Sequence, residues 1–287
     1  MEKLKITVLV LLSVFCTLSA QLKMIGFINI GADKIYYEYS GEGDVIILIH
    51  DGVLNNEVWD EQFSKFSKSY KVIRYDRRGY GRSSAATESY SNVDDLNTLF
   101  EHLLVKKAWL FGISSGGRLA IDFTLEHPDK VNGLVLVGAV VGGFSNTSHF
   151  YTRGGHLPMN ITDEIKLLTY YVSQDPYEIY SGNAAARKKA LNLIKEFPPK
   201  SNSTGNLEQI NRAKIPSYRR LNEIKVPALV LVGEFDIPDV HAHAGVIGAG
   251  ILNSERDIIP KSGHLIPLEQ PELFDKRVES FLFDYTY

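Results

Sequence analysis

The sequence predicts an α/β chain: a mostly parallel, doubly wound sheet of about eight strands with a helical insertion. Three observations predict it. Short runs of consecutive apolar residues recur, as in Val45–Ile49 and Val131–Val137, and such runs mark strands buried on both faces. Amphipathic stretches alternate with them, which puts helices on both faces of a parallel sheet joined by right-handed crossovers. The alternation then stops at Gly138, shows no buried-strand pattern up to about Leu221, and resumes at Val226.

The elements follow in order. Met24–Ile30 and Lys34–Tyr39 flank Gly31-Ala32-Asp33 and read as an antiparallel hairpin. Val45–Ile49 is a buried strand, Glu57–Phe66 a helix, and Val72–Tyr75 the next strand. That strand runs into a polar, glycine-rich loop, Asp76–Ser83. Asn92–Lys106 carries Val93, Leu96, Leu99, Phe100, Leu103 and Leu104 on one face, with Ser91 as N-cap. Ala108–Phe111 is a strand followed by Gly112-Ile113-Ser114-Ser115-Gly116 and a helix that ends at His127-Pro128. Val131–Val137 is the next strand. The insertion holds helical stretches at Asp163–Val172 and Ala184–Phe197, with paired aromatics at Phe150-Tyr151 and Tyr170-Tyr171. Strands over Val226–Val232 and Arg256–Ile259 and a helix from about Pro271 complete the chain.

Length and composition fit this. The chain has 287 residues, 44% hydrophobic and 23% charged, enough for one large α/β domain with an insertion. A net charge of -3 with interspersed signs gives no reason to expect a nucleic-acid partner. At the N-terminus, Lys3 and Lys5 precede an apolar run from Ile6 to Leu18, then Ser19-Ala20. This reads as a secretory signal over residues 1–20, cleaved after Ala20 or, alternatively, Ser19. The run is shorter than the roughly 20 apolar residues of a spanning helix, so no stable membrane insertion is expected after cleavage. An uncleaved signal would instead anchor the protein. Phe15 argues against a lipid anchor on Cys16, the only cysteine, so the secreted or periplasmic mature chain would have no disulfide or thiolate site.

The chemistry centres on Gly112–Gly116. A G-x-S-x-G placed directly between a strand and a helix holds its serine on a sharp turn with the hydroxyl exposed. A serine hydroxyl needs a base to take its proton, and the base needs an orienting acid. His264, in Lys261-Ser262-Gly263-His264 after the last strand, is the candidate base, because functional loops lie at the carboxyl ends of parallel strands. The loop Gly233-Glu234-Phe235-Asp236-Ile237-Pro238-Asp239 supplies the acid. Asp236 is chosen, with Glu234 and Asp239 as competitors. The loop after Val137 contains no carboxylate. The oxyanion formed on attack needs backbone N–H donors. These are expected from Ser115 and from the loop after Ile49, at Gly52 or, as runner-up, Val53.

Together these residues resemble the α/β-hydrolase superfamily, in particular its compact members with a helical cap: carboxylesterases, enol-lactonases, C–C bond hydrolases and cofactor-free haloperoxidases. The resemblance spans roughly Met24 to Tyr287. It is carried by His50-Asp51-Gly52, the Arg74–Ser83 loop, Gly112–Gly117, Gly233–Asp236 and Ser262-Gly263-His264. It implies a core of residues 21–138 and 222–287 with a cap at 139–221. It also implies the order Ser114, Asp236, His264 for the triad, and no cofactor or metal. One departure is Asp51, where many relatives have glycine. A carboxylate aimed at the oxyanion would oppose it, so Asp51 is expected to point away or to be paired, with an arginine as a candidate.

The expected reaction is cleavage of a small-molecule ester or lactone through an acyl-enzyme on Ser114. Alternatives on the same fold are C–C bond hydrolysis, aminopeptidase, lyase or cofactor-free perhydrolase activity, or a non-catalytic binding module. Acids at Asp163, Glu164, Asp175 and Glu178 would suit a substrate amine but are not diagnostic. His50, Asp76 and Arg77 are expected to support loops. His241 and His243 form an H-x-H without an evident third metal ligand. Asn146, Asn160 and Asn202 begin N-glycosylation sequons.

Overall fold

The computed structural model describes residues 22–158, 160–200 and 215–286. The signal segment and Asn202 therefore lie outside the described residues. Eight strands form one sheet: β1 (Met24–Ile30), β2 (Asp33–Ser40), β3 (Val45–Ile49), β4 (Lys71–Tyr75), β5 (Ala108–Ile113), β6 (Val131–Val137), β7 (Ala228–Gly233) and β8 (Ser254–Ile259). Their order is β1-β2-β4-β3-β5-β6-β7-β8. The β1–β2 and β2–β4 pairs are antiparallel and the others parallel. The helices are α1 (Asp60–Phe66), α2 (Asn92–His102), α3 (Ser115–Glu126), α4 (Ser148–Thr152), α5 (Glu164–Gln174), α6 (Ala184–Glu196), α7 (Pro238–Gly250), α8 (Ile266–Glu269) and α9 (Pro271–Thr286).

The central strands are buried on both faces, and their pleat divides the core. Ile47 and Ile49 of β3 join Leu96, Phe100, Phe123 and Val240, from α2, α3 and α7. Ile46 and Leu48 join Trp59, Phe63, Phe274 and Phe281 on the other face. Each such side chain contributes about 1.5–3 kcal/mol by leaving water.

Several elements differ from expectation for identifiable reasons. The α2 helix ends at His102 rather than Lys106, because Leu104 takes a left-handed conformation with φ 54°. β7 begins after Pro227, which has no N–H to give the ladder. β8 starts at Ser254, two residues before Arg256. Its outward Glu255 and Asp257, both bound by Arg277, hide the apolar pattern. The α7 helix was not anticipated. Its glycines at 245, 248 and 250 and weak apolar stripe mask it.

The segment between β6 and β7 leaves and rejoins the sheet at nearly one place. Tyr218 N–H donates to Gly142 O at 3.1 Å, so the two ends meet.

Candidate active site

Ser114 stands between β5 and α3, half-buried, with φ 53° and ψ -115°. A non-glycine residue held at positive φ costs on the order of 1–3 kcal/mol and persists only where its surroundings enforce it. They do so here through glycines. A Cβ on Gly116 would lie 2.5 Å from His50 O and 2.6 Å from Ile49 O, and one on Gly112 would collide with the Gly116 carbonyl. The start of α3 is thereby pressed against the end of β3. Ser114 N–H donates to Val137 O at 2.8 Å, which anchors the turn to β6.

His264 lies between β8 and α8. Its Nδ1 is 2.7 Å from Asp236 Oδ2, and both residues are buried. The other Asp236 oxygen accepts from Ile237 N–H at 2.8 Å, which fixes the carboxylate. Burial pulls the His264 pKa down, but Asp236 and then Glu178 outweigh it, and the pKa rises to about 9. The two competing acids are engaged elsewhere. Glu234 accepts from Lys261 N–H at 2.9 Å, and Asp239 accepts from Thr147 N–H at 2.6 Å.

The loop after β3 approaches α3. A Cβ on Gly52 would be 3.3 Å from Ser115 Oγ. Ser115 is the first residue of α3, so its N–H has no intrahelical partner and lies at the positive end of the helix dipole. Among the described residues Gly52 N–H has no acceptor either. Val53, the runner-up, is excluded because its N–H is bound by Asp51 Oδ1 at 2.5 Å. The same oxygen accepts from Leu54 N–H at 2.9 Å, so Asp51 is paired with backbone rather than with an arginine. Arg77 instead reaches the Asp51 carbonyl (2.5 Å) and Ser115 Oγ (2.9 Å) through Nη2. His50 Nδ1 is 2.6 Å from the same carbonyl, and its Nε2 accepts from Arg77 N–H at 3.0 Å. Burial, then the Arg77 charge, hold the His50 pKa well below the usual value, so the ring is a neutral brace.

A family model described as "alpha/beta hydrolase fold" matches residues 44–271. The chain belongs to the alpha/beta hydrolase fold family. A curated relative from Paraburkholderia phymatum is named 2-hydroxy-6-oxononadienedioate/2-hydroxy-6-oxononatrienedioate hydrolase. It is 28% identical over 275 residues, covering 87% of this chain and 91% of the relative. The structure of an enol-lactonase from Burkholderia xenovorans LB400 matches with a TM-score of 0.74 at 23% identity, over 90% of this chain and 100% of that one. A thermophilic esterase from Thermogutta terrifontis matches with a TM-score of 0.72 at 24% identity, over 92% and 98%. At these identities the two structures speak for the fold alone.

This alpha/beta hydrolase has further residues near the His264–Asp236 pair, of which the sequence suggests Asp175 and Glu178 only as acids suited to a substrate amine. Gly138, at φ 52°, leaves the space in which the pair sits. A Cβ there would be 3.0 Å from His264 Nδ1 and 3.3 Å from Asp236 Oδ2. The only signal in the sequence is a glycine in a loop without a carboxylate. The segment between β6 and β7 adds Arg153, Asp175 and Glu178. Arg153 lies 3.4 Å from Asp175 Oδ2 and 3.3 Å from Glu178 Oε2, with its guanidinium over the Phe150 and Tyr171 rings. Glu178 is fully buried, and burial pushes its pKa up to about 7 against the opposing pull of His264 and Arg153. The His264 N–H points at the Tyr177 and Glu178 carbonyls, at 2.9 and 3.0 Å.

The remaining candidates serve the framework. Asp76 accepts from Asn56 and Arg82 N–H, both at 2.8 Å. His243 accepts from Val141 N–H (3.1 Å) and meets Asn146 Oδ1 (2.7 Å), so the first sequon asparagine is held by a histidine. Asn160 is exposed. Asp163 is the N-cap of α5 and accepts from Lys166 N–H at 3.0 Å.

Proposed function

We propose that the protein is a serine hydrolase acting on an ester or lactone of a small molecule. Ser114 attacks the acyl carbon. His264 takes the serine proton and returns it to the leaving group, and Asp236 orients and charges the imidazole. Ser115 and Gly52 N–H groups receive the oxyanion, and water then releases the acyl group from the serine. The observation that carries this reading is the buried 2.7 Å pair of His264 and Asp236 beside Gly138, the residue after Val137, whose carbonyl receives Ser114 N–H. The ester class is the reading taken for the acyl group, and the helices α4, α5 and α6 between β6 and β7 serve as the cap over the acyl pocket.

A fluorophosphonate probe tests the nucleophile. It should label wild type on Ser114 and leave Ser114→Ala unlabelled, with turnover of p-nitrophenyl esters lost and thermal unfolding unchanged. A folded wild type with no adduct at Ser114 sinks the proposal.

The relative named for a dienedioate supports a second reading, hydrolysis of a C–C bond with the same residues. Turnover of a vinylogous diketone acid together with inertness toward p-nitrophenyl esters, lactones and aminoacyl anilides would select it. For the N-terminus we propose export with removal of residues 1–20. Recovery of exported protein that still begins at Met1 would refute cleavage.

A further inference from the structure

Four arginines follow one another closely after β4 begins, and three of them hold carboxylates. Arg74 binds Glu38 and Asp60, Arg78 binds Asp33 and Asp95, and Arg82 binds Glu57. Arg77 is the exception. It is only 5% exposed, yet among the described residues no carboxylate pairs with its guanidinium, and its Nε has no hydrogen-bond partner. A buried charge without a counter-charge is costly unless its site gives it something to do.

Its guanidinium stands 5.1 Å from the Tyr80 ring centroid, and its two side-chain hydrogen bonds reach the two halves of the oxyanion site. One is Ser115 Oγ, on the residue that offers the first N–H donor. The other is the carbonyl of Asp51. That carbonyl belongs to the same peptide unit as the Gly52 N–H, the second donor. A trans peptide is planar, with C=O and N–H on opposite edges. Gripping the carbonyl therefore fixes the direction of the N–H at the far edge. A charged donor on the carbonyl also polarises the amide, so that its N–H donates more strongly. His50 Nδ1 shares the same carbonyl and holds the plane from a second direction.

The geometry points to Arg77 as a positioning residue that aligns both oxyanion donors and brings a cation without a counter-ion to the charge formed on the substrate oxygen. The inference rests on the serine-hydrolase reading. The stabilisation is selective, because the substrate carbonyl is neutral in the ground state and the oxygen is anionic only after attack.

The test compares Arg77→Met, Arg77→Lys and Ser115→Ala with wild type, using an activated ester and an alkyl boronic acid that forms an anionic tetrahedral adduct with serine. Wild type must first be labelled at Ser114 by the fluorophosphonate; without that label the hydrolase reading itself fails, whatever the arginine does. Given the label, Arg77→Met should lower kcat about ten- to hundred-fold with KM within about threefold. Boronate affinity should fall by the same factor as kcat/KM. Arg77→Lys, which keeps the charge but not the fork, should recover part of the loss. Ser115→Ala keeps its backbone N–H and alters only a half-buried side chain at a helix start. It should lower kcat several-fold in wild type and have no effect in the Arg77 variants. Unchanged kcat and boronate affinity in a folded Arg77→Met would overturn the proposal. So would a loss expressed wholly in KM, or full activity in Ser115→Ala should the arginine variants fail to fold.

Discussion

At the scale of single residues, the site depends as much on side chains that are absent as on those present. Gly138 carries no functional group, yet a Cβ there would press on the His264–Asp236 pair, at 3.0 Å from Nδ1 and 3.3 Å from Oδ2. Gly138→Ala should act twice. The φ of 52° penalises an L-residue by about 1–2 kcal/mol, and the new methyl must push against the imidazole. The expected outcome is a thermal midpoint lower by a few degrees, together with a drop in kcat larger than that loss of stability explains. Calorimetry and ester kinetics on the same preparation check it. A variant that loses stability but keeps full kcat would show that the imidazole tolerates displacement.

At the scale of elements, the elbow works because α3 starts in contact with the end of β3. Gly116 permits that contact, and its replacement by alanine drives a methyl against the Ile49 and His50 carbonyls. Overpacking of this kind costs typically about 1–3 kcal/mol and more where backbone must move. Gly116→Ala should therefore lower the urea midpoint and also shift Ser115 N–H, so that fluorophosphonate labelling slows even in the folded fraction. The elbow was readable in the sequence because its glycines and its strand-to-helix setting are local. So were the loops that hold Asp236 and His264, since each follows a strand, buried throughout in β7 but not in β8. The α7 helix was not readable, because glycines at every few positions dilute the pattern that reveals a helix. Arg153 was equally hidden, and Glu178 stood out only as one of four acids suited to an amine. They matter through distances across the fold, and a lone arginine or glutamate in a polar helical stretch looks like a solvated face. Asp51 was judged by its charge, while its role follows from an Asx-type turn that caps the next residues.

At the scale of the whole molecule, stability is linked to the protonation of the site. The folded protein holds the His264 proton up to about pH 9, against 6.5 for an ordinary histidine. The folded state thus binds a proton more tightly than the unfolded chain. The resulting stabilisation is fully present below pH 6.5 and is lost as pH rises through 9. The raised pKa values of Glu178 and Glu269, both about 7, act in the same direction but finish earlier. Thermal midpoints should therefore fall between pH 7 and pH 9, and the slope should flatten in His264→Gln. An equal slope in both proteins would mean that the histidine is not protonated there. Turnover should run the opposite way, rising toward pH 9 as the imidazole becomes a free base.

The clasp between Gly142 and Tyr218 makes the segment between them look removable, since cutting it out would leave chain ends already side by side. The backbone of His264 argues that such surgery disarms the molecule. Its N–H is received by the Tyr177 and Glu178 carbonyls, so the proposed general base hangs from the segment between β6 and β7. A protein in which a short linker joins Gly142 to Tyr218 should fold, admit bulky esters freely, and turn over even the smallest ones poorly. On the proposed reading, that segment and the base are one mechanical part. Selection that widens the pocket by loosening its roof would be felt first in proton transfer.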